Sequence, residues 1–186
     1  MKRAFDIFFV IILLPVLAMP VAFISLLIRV TSAGPILYWS DRIGRNNRTF
    51  KMPKFRSMRV GTPAVATHLL ETPEKYYTPI GHLLRSTSLD ELPQLWCIFK
   101  GDMSFVGPRP ALYNQDDLIK MRTRFGVDQL SPGLTGWAQI NGRDNIPLPQ
   151  KVKLDVEYLN RANLSFDCLI IFQTVYSAVF RRDISH

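Results

Sequence analysis

Cysteine is almost absent from this chain of 186 residues. The two present, Cys97 and Cys168, lie in apolar stretches without the spacing of a metal site or a disulfide framework. A stapled secreted scaffold is thereby excluded, and a reduced, cytosol-facing domain is the simpler expectation. Histidine is as scarce, with His68, His82 and His186 isolated from one another, so no histidine zinc motif arises. A glycine-rich phosphate loop is missing, as are zinc-finger, homeodomain and RNA-recognition signatures. Acidic residues number 15 against 23 basic ones, for a formal charge of +8. That balance suits an anionic partner, but the arginines are dispersed rather than gathered on one helix, and nucleic acid is not expected. No internal repeat or low-complexity tract appears.

Apolar residues, by contrast, make up 47% of the chain, enough for one compact core with a surplus for lipid. Residues 7–28 run almost without charge, a length that can enter the hydrocarbon core of a bilayer. Arg29 follows where a signal-peptide cleavage site would stand, so the run is read as retained. Pro15 and Pro20 each remove a backbone donor inside it, and a bend is expected. Lys2 and Arg3 before the run and Arg29, Arg42 and Arg45 after it put positive charge on both flanks. That symmetry fits a helix that enters and returns to the cytoplasmic face, while a kinked spanning helix also tolerates two prolines. The division expected is residues 1–30 as a re-entrant membrane helix and 31–186 as a cytosolic and interfacial domain.

The remainder reads as α+β with helices dominant. Short strands at residues 36–40 and 49–52 flank the polar turn 44–48, a hairpin pattern. Residues 60–79, rich in proline and glycine, read as a loop with one helical turn. Helical spacing follows through Ile80, Leu83 and Leu84, then through Leu92, Leu95, Trp96 and Phe99, ending at Gly101-Asp102. A further helix is expected over 111–125, a strand at 137–140 and a helix over 150–160. Ser165-Phe166-Asp167 is expected to cap a last helix over 168–180. With Arg181-Arg182 at its end, that helix suits either the lipid interface or the core.

The densest chemistry is Arg85-Ser86-Thr87-Ser88-Leu89-Asp90-Glu91-Leu92-Pro93, with two adjacent carboxylates at a predicted helix start. Ser88 and Glu91 have capping-box spacing, and acidic residues favour a first turn. Equally, a carboxylate there beside Arg85 can act as nucleophile or metal ligand where phosphate is held. Lys54-Phe55-Arg56, Gly107-Pro108-Arg109-Pro110 and Asn141-Gly142-Arg143-Asp144 supply further cations, the arginines with forks suited to phosphate oxygens.

Four blocks in order then carry a resemblance: Lys54-Phe55-Arg56-Ser57-Met58; Thr87-Ser88-Leu89-Asp90-Glu91-Leu92-Pro93-Gln94-Leu95; residues 101–110, ending Gly107-Pro108-Arg109-Pro110; and residues 132–143, Pro132-Gly133-Leu134-Thr135-Gly136-Trp137 through Arg143. Over nearly its whole length the chain resembles the bacterial sugar transferases, specifically the small monotopic phosphoglycosyl transferases that act on polyprenyl phosphate. The resemblance implies transfer of a sugar phosphate from a UDP-sugar to polyprenyl (undecaprenyl) phosphate with release of UMP. Asp90 would be the nucleophile of a two-step reaction through a covalent phosphosugar enzyme, with Mg2+ as cofactor and Asp90 among its ligands. Glu91 would be the second member of the dyad, with Lys54, Arg56, Arg85, Arg109 and Arg143 as phosphate and nucleotide contacts. An N-acetylated amino or bacillosamine-type sugar is the donor expected, a hexose the alternative, and a membrane-bound nucleotide-sugar hydrolase the rival activity. The resemblance further implies a place at the bacterial inner membrane facing the cytoplasm, in lipid, at the first membrane step of glycoconjugate assembly, with downstream glycosyltransferases as partners. Many relatives carry serine before the proline at the helix bend, where this chain has Met19 before Pro20. The larger members' additional amino-terminal helices have no counterpart in it, so it resembles the minimal catalytic unit.

Overall fold

A computed structural model describes residues 1–63, 72–142 and 146–180. The architecture is α+β and helix-dominated. Helix α1 (Lys2–Thr31) runs unbroken through both prolines. Because proline has no N–H, the carbonyls of Ile11 and Val16 lose their usual helical donors. One stripe of α1 faces the rest of the protein: Val10 and Leu17 pack with Met52, Leu95, Cys97 and Ile98, and Val21, Ile24 and Ile28 pack with Phe55 and Leu84. These positions recur at helical spacing, as a helix lying along a core requires. The rest of its circumference, including Phe8, Ile11, Val16, Met19 and Phe23, is exposed and apolar.

Both ends of α1 are bonded to the same body. Lys2 Nζ lies 2.5 Å from Asp167 Oδ2, and Arg3 donates to the carbonyls of Ile98 and Phe99 at 2.5 and 2.6 Å. Buried Asp6 accepts from Ser104 Oγ and from the Phe105 amide, each at 3.1 Å. At the other end Arg56 donates to Ser32 O, Ser32 Oγ and Ala33 O, meeting the carbonyl of the C-cap residue and of the one after it. A helix of 30 residues is ~45 Å long, so these bonds clamp it over its full extent.

The expected hairpin forms as β1 (Leu37–Ile43) and β2 (Thr49–Phe55), paired antiparallel from Leu37 opposite Phe55 to Ile43 opposite Thr49. Asn46 and Asn47 take left-handed backbone in its turn, a conformation asparagine tolerates. Next come α2 (Gly81–Ser86), a 3-10 helix (Leu89–Gln94), α3 (Leu95–Lys100) and β3 (Ser104–Val106). Gly101, at φ +98°, ends α3 as the sequence suggested. The helix expected over 111–125 is shorter. Ala111–Leu112 form β4, which adds to β1 and makes the sheet order β2-β1-β4, and α4 spans Asp116–Arg124.

Strand and helix exchange places near residue 137. The strand is β5 (Gly133–Thr135), parallel to β3, and α5 (Trp137–Ile140) is helical. The Gly136 carbonyl accepts from Gln139 and Ile140, which turns the chain into α5. A Cβ at Gly133 would fall on the Gly107 nitrogen, and one at Gly136 on the Gly107 carbonyl oxygen. These glycines exist for backbone contact, which the strand pattern did not reveal. Helix α6 (Leu148–Arg161) and α7 (Leu164–Phe180) complete the fold. Asn163, not the Ser165-Asp167 segment, caps α7: its Oδ1 accepts from the Phe166 amide at 2.8 Å. Asp167 is instead buried against Tyr158 and Lys2, because the α6–α7 packing needs a partner for those polar groups.

Replacing Asp6 with alanine strands two donors and is expected to cost about 1–3 kcal/mol. The exposed Asp41–Lys51 pair, 3.0 Å apart, serves as control, its loss being worth at most about 1 kcal/mol. Denaturant unfolding of both variants in detergent checks the difference. Equal effects would mean that Asp6 does not anchor α1.

Candidate active site

The acidic pair is presented by a strained turn. Ser88 adopts left-handed backbone at φ +57°, uncommon for a residue with a Cβ, and redirects the chain from α2 into the 3-10 helix. Its side chain makes no capping bond, so the capping-box reading is not the arrangement seen. Leu89 and Leu92 seat this helix on Ile24, Ile28 and Phe55, which sets the site against the carboxy-terminal half of α1.

Asp90 is 5% exposed. Lys54, near the end of β2, points its ammonium at both carboxylates, 2.6 Å from Glu91 Oε1 and 3.9 Å from Asp90 Oδ2. Arg109 Nη2 reaches the same Glu91 oxygen at 3.5 Å. Burial would raise the Glu91 pKa, but Lys54 and Arg109 outweigh it and bring it down to about 2. Asp90 moves the other way. Burial raises its pKa above the usual 3.8 and the Glu91 charge adds to the rise, while Lys54 and, more weakly, Arg85 and Arg109 pull against both. Two neighbouring carboxyls are thus driven apart: Glu91 is held ionised by its cations, and Asp90 is the one that keeps a proton more readily.

Lys54, Asp90, Glu91 and Arg109 therefore converge from three segments. Arg85 joins them electrostatically, its guanidinium lying 5.8 Å from the Tyr77 ring centroid. Arg56 goes elsewhere, since its forks bind the end of α1, and a structural capping role accounts for it. Arg143 lies outside the described residues. Met19 and Pro20 sit exposed in the middle of α1. Among the described residues no three Asp, Glu, His or Cys side chains converge as a metal cage. With Glu91 Oε1 occupied by Lys54 and Arg109, Asp90 is the carboxylate left to meet a cation. A single carboxylate of that kind fits Mg2+, which keeps several waters and takes its remaining ligands from substrate phosphates.

Three residues that the motif reading passed over stand beside the Arg109 segment: Arg42 and Arg122 donate to the carbonyls of Pro110 and Arg109, and Asp155 accepts from Arg122. Arg122 and Asp155 are charged residues at core-facing positions of α4 and α6, at helical spacing from buried Leu118 and Val152. A charge on an apolar helical face was the signal available for both.

Adjacent substitutions are expected to move stability in opposite directions. Asp90 prefers its proton in the folded state, so its ionised form costs stability above its pKa. Asp90→Asn should raise the melting midpoint at neutral pH, with the gain vanishing as pH falls below about 3.8. Glu91 stabilises while ionised, so Glu91→Gln should lose about 1–3 kcal/mol at neutral pH. That loss should fade only as pH falls from 4.5 towards about 2. Thermal unfolding across pH reads both, and shifts of one sign would contradict the assignment.

Comparison with known proteins identifies the family. Residues 1–181 match the family described as bacterial sugar transferase. The chain is 37% identical over 98% of its length to an undecaprenyl-phosphate glucose phosphotransferase from Komagataeibacter xylinus, covering 36% of that protein. It is 35% identical over 95% of its length to the UDP-glucose:undecaprenyl-phosphate glucose-1-phosphate transferase of Escherichia coli, covering 39% of it. It is 33% identical over 97% of its length to the exopolysaccharide production protein ExoY of Sinorhizobium fredii, covering 86% of it. The chain thus spans little more than a third of two of these relatives and most of the third, and it belongs to the bacterial sugar transferase family.

Proposed function

We propose that this chain transfers a sugar 1-phosphate from a UDP-sugar to polyprenyl phosphate through Asp90. The observation that carries the reading is the buried Asp90 carboxyl beside a Glu91 already neutralised by Lys54 and Arg109. An Asp90 oxygen attacks the phosphorus bearing the sugar, and the bond from that phosphorus to the UMP oxygen breaks, so UMP leaves with the electron pair. A phosphate oxygen of the polyprenyl phosphate then attacks the same phosphorus and displaces the Asp90 carboxylate. The product is a polyprenyl diphosphate sugar. Lys54, Arg85 and Arg109 offer positive charge to the diphosphate, which is how a site lowers the barrier to phosphoryl transfer. Glu91 holds Lys54 in place. Mg2+, held by Asp90 and the diphosphate, would neutralise charge on the phosphates.

Relatives whose names specify a sugar act on glucose, galactose or N-acetylgalactosamine. The donor here is read as an N-acetylated amino sugar or a bacillosamine-type sugar, with a hexose as the alternative. A lipid acceptor requires a membrane site, and α1 provides one. Its outer face is apolar while both ends are bonded to a single globular body, which suits a helix whose two ends lie on the cytoplasmic side of the bacterial inner membrane. A bend at Met19-Pro20 is proposed there, since Pro20 already removes one of the hydrogen bonds it would break and Pro15 removes another a turn earlier. Leu169, Phe172, Tyr176 and Phe180 form an exposed apolar stripe on α7, suited to the lipid interface. The reaction is the first membrane step of glycoconjugate assembly, and downstream glycosyltransferases would take its product.

A donor screen that measures UMP release across UDP-sugars, with polyprenyl phosphate and Mg2+ present, tests the reading. One donor should dominate, chelation should abolish turnover, and Asp90→Asn and Asp90→Glu should each lose at least roughly 1,000-fold. Continuous UMP release without the lipid would favour the hydrolase. Full turnover by Asp90→Asn would overturn the mechanism.

A further inference from the structure

The segment that carries Arg109 has its backbone held from three directions. Pro108 and Pro110 have no amide hydrogen, so on either side of Arg109 only carbonyls are available to fix the chain. All three are used. Pro108 O accepts from the Gly133 amide at 2.9 Å, Arg109 O from Arg122 Nη1 at 2.8 Å, and Pro110 O from Arg42 Nη1 at 3.2 Å. Arg122 is itself immobilised, since its Nε and Nη2 both donate to Asp155 Oδ2, at 2.9 and 2.8 Å. It is 8% exposed and Asp155 1%, so neither side chain is placed to meet a substrate.

Each bond has a distinct consequence. The Arg122–Asp155 pair fixes the guanidinium plane, the third nitrogen of that plane fixes the Arg109 carbonyl, and the carbonyl fixes where the Arg109 side chain leaves the backbone. A lone buried ion pair would be weak evidence for anything beyond packing. Here the pair has a donor aimed at one residue of the site, and Arg42 braces the next carbonyl with a nitrogen of its own while its Nε donates to Ser40 Oγ at 3.0 Å.

We infer that Arg122, locked by Asp155, is a positioning residue that sets Arg109 for binding of the UDP-sugar. The inference rests on the reading of Arg109 as a donor contact. Its signature is selective: the KM for the UDP-sugar rises, the KM for polyprenyl phosphate does not, and the effect needs Arg109. Arg122→Lys keeps a cation beside Asp155 but cannot bond that carboxylate and the Arg109 carbonyl with one rigid plane. Asp155→Asn keeps Arg122 and frees its orientation.

The test is a double-substitution cycle on the full chain in lipid nanodiscs, with Arg122→Lys, Asp155→Asn and Arg109→Ala alone and combined. Circular dichroism and melting midpoints identify which variants are folded at the assay temperature. Arg122→Lys should raise the KM for the UDP-sugar roughly tenfold to a hundredfold, Asp155→Asn should raise it less, and neither should add to Arg109→Ala. An effect of Arg122→Lys or Asp155→Asn that persists undiminished in the Arg109→Ala background, or that falls equally on both substrates, would overturn the clamp while leaving Arg109 as a contact. An unchanged KM in Arg109→Ala itself would remove Arg109 from the site, and the clamp with it. If Arg122→Lys does not fold, the cycle with Asp155→Asn decides by the same criteria.

Discussion

The bond from Lys54 to Glu91, at 2.6 Å, joins β2 to the 3-10 helix and decides the charge state of everything around it. A carboxylate removed from water is costly unless a cation answers it, and here Glu91 has two. With the Glu91 charge answered, Lys54 is still close enough to Asp90 to favour its ionised form, while burial favours the protonated one. The left-handed Ser88 backbone fits the same account, since strain of about 1–3 kcal/mol persists where surrounding structure over-determines it. Leu89 and Leu92 beneath it, and Lys54 beside it, supply that surrounding structure.

The long apolar helix and the assembly of the site are not separate features of this fold. The Ile24 and Ile28 end of α1 packs under the helix that carries Asp90, and the Asp6 end bonds to Ser104 and Phe105, from which the chain continues to Arg109. One apolar helix therefore supports two of the segments that bring charge to the site, the 3-10 helix and the one leading to Arg109. Its outward face is apolar and exposed, which suits the lipid contact proposed for it. A reaction between a water-soluble nucleotide sugar and a lipid phosphate needs such coupling, because the reacting phosphorus must sit where both substrates can reach it.

Much of the architecture was legible in the sequence. The hairpin, the glycine that ends α3 and the extent of the apolar amino-terminal run follow from turn chemistry and periodicity. The exchange of strand and helix around residue 137 did not, because Gly133 and Gly136 are required for contact with Gly107, a tertiary demand that local pattern does not encode. The site divided in the same way. Asp90, Glu91, Lys54 and Arg109 were named from motifs and the structure brings them together, whereas Arg56 shares a motif with Lys54 but stands just past the end of β2 and turns to the end of α1. Strand alternation would put residues 54 and 56 on one face, but β2 ends at Phe55, and where the chain leaves the strand was not encoded in the local motif. Arg122 and Asp155 were hidden for the opposite reason, since each looks like a surface charge until the apolar face of its helix is mapped.

The central claim is that Asp90 carries the sugar phosphate covalently between donor and lipid. The most direct measurement is intact-protein mass spectrometry after the purified chain is mixed with its UDP-sugar and Mg2+ and quenched, with polyprenyl phosphate withheld. The account predicts one added sugar phosphate per chain, mapped to Asp90, lost when the lipid phosphate is supplied and absent from Asp90→Asn. No adduct at any quench time, in a preparation that still makes the polyprenyl diphosphate sugar when lipid is added, would contradict it.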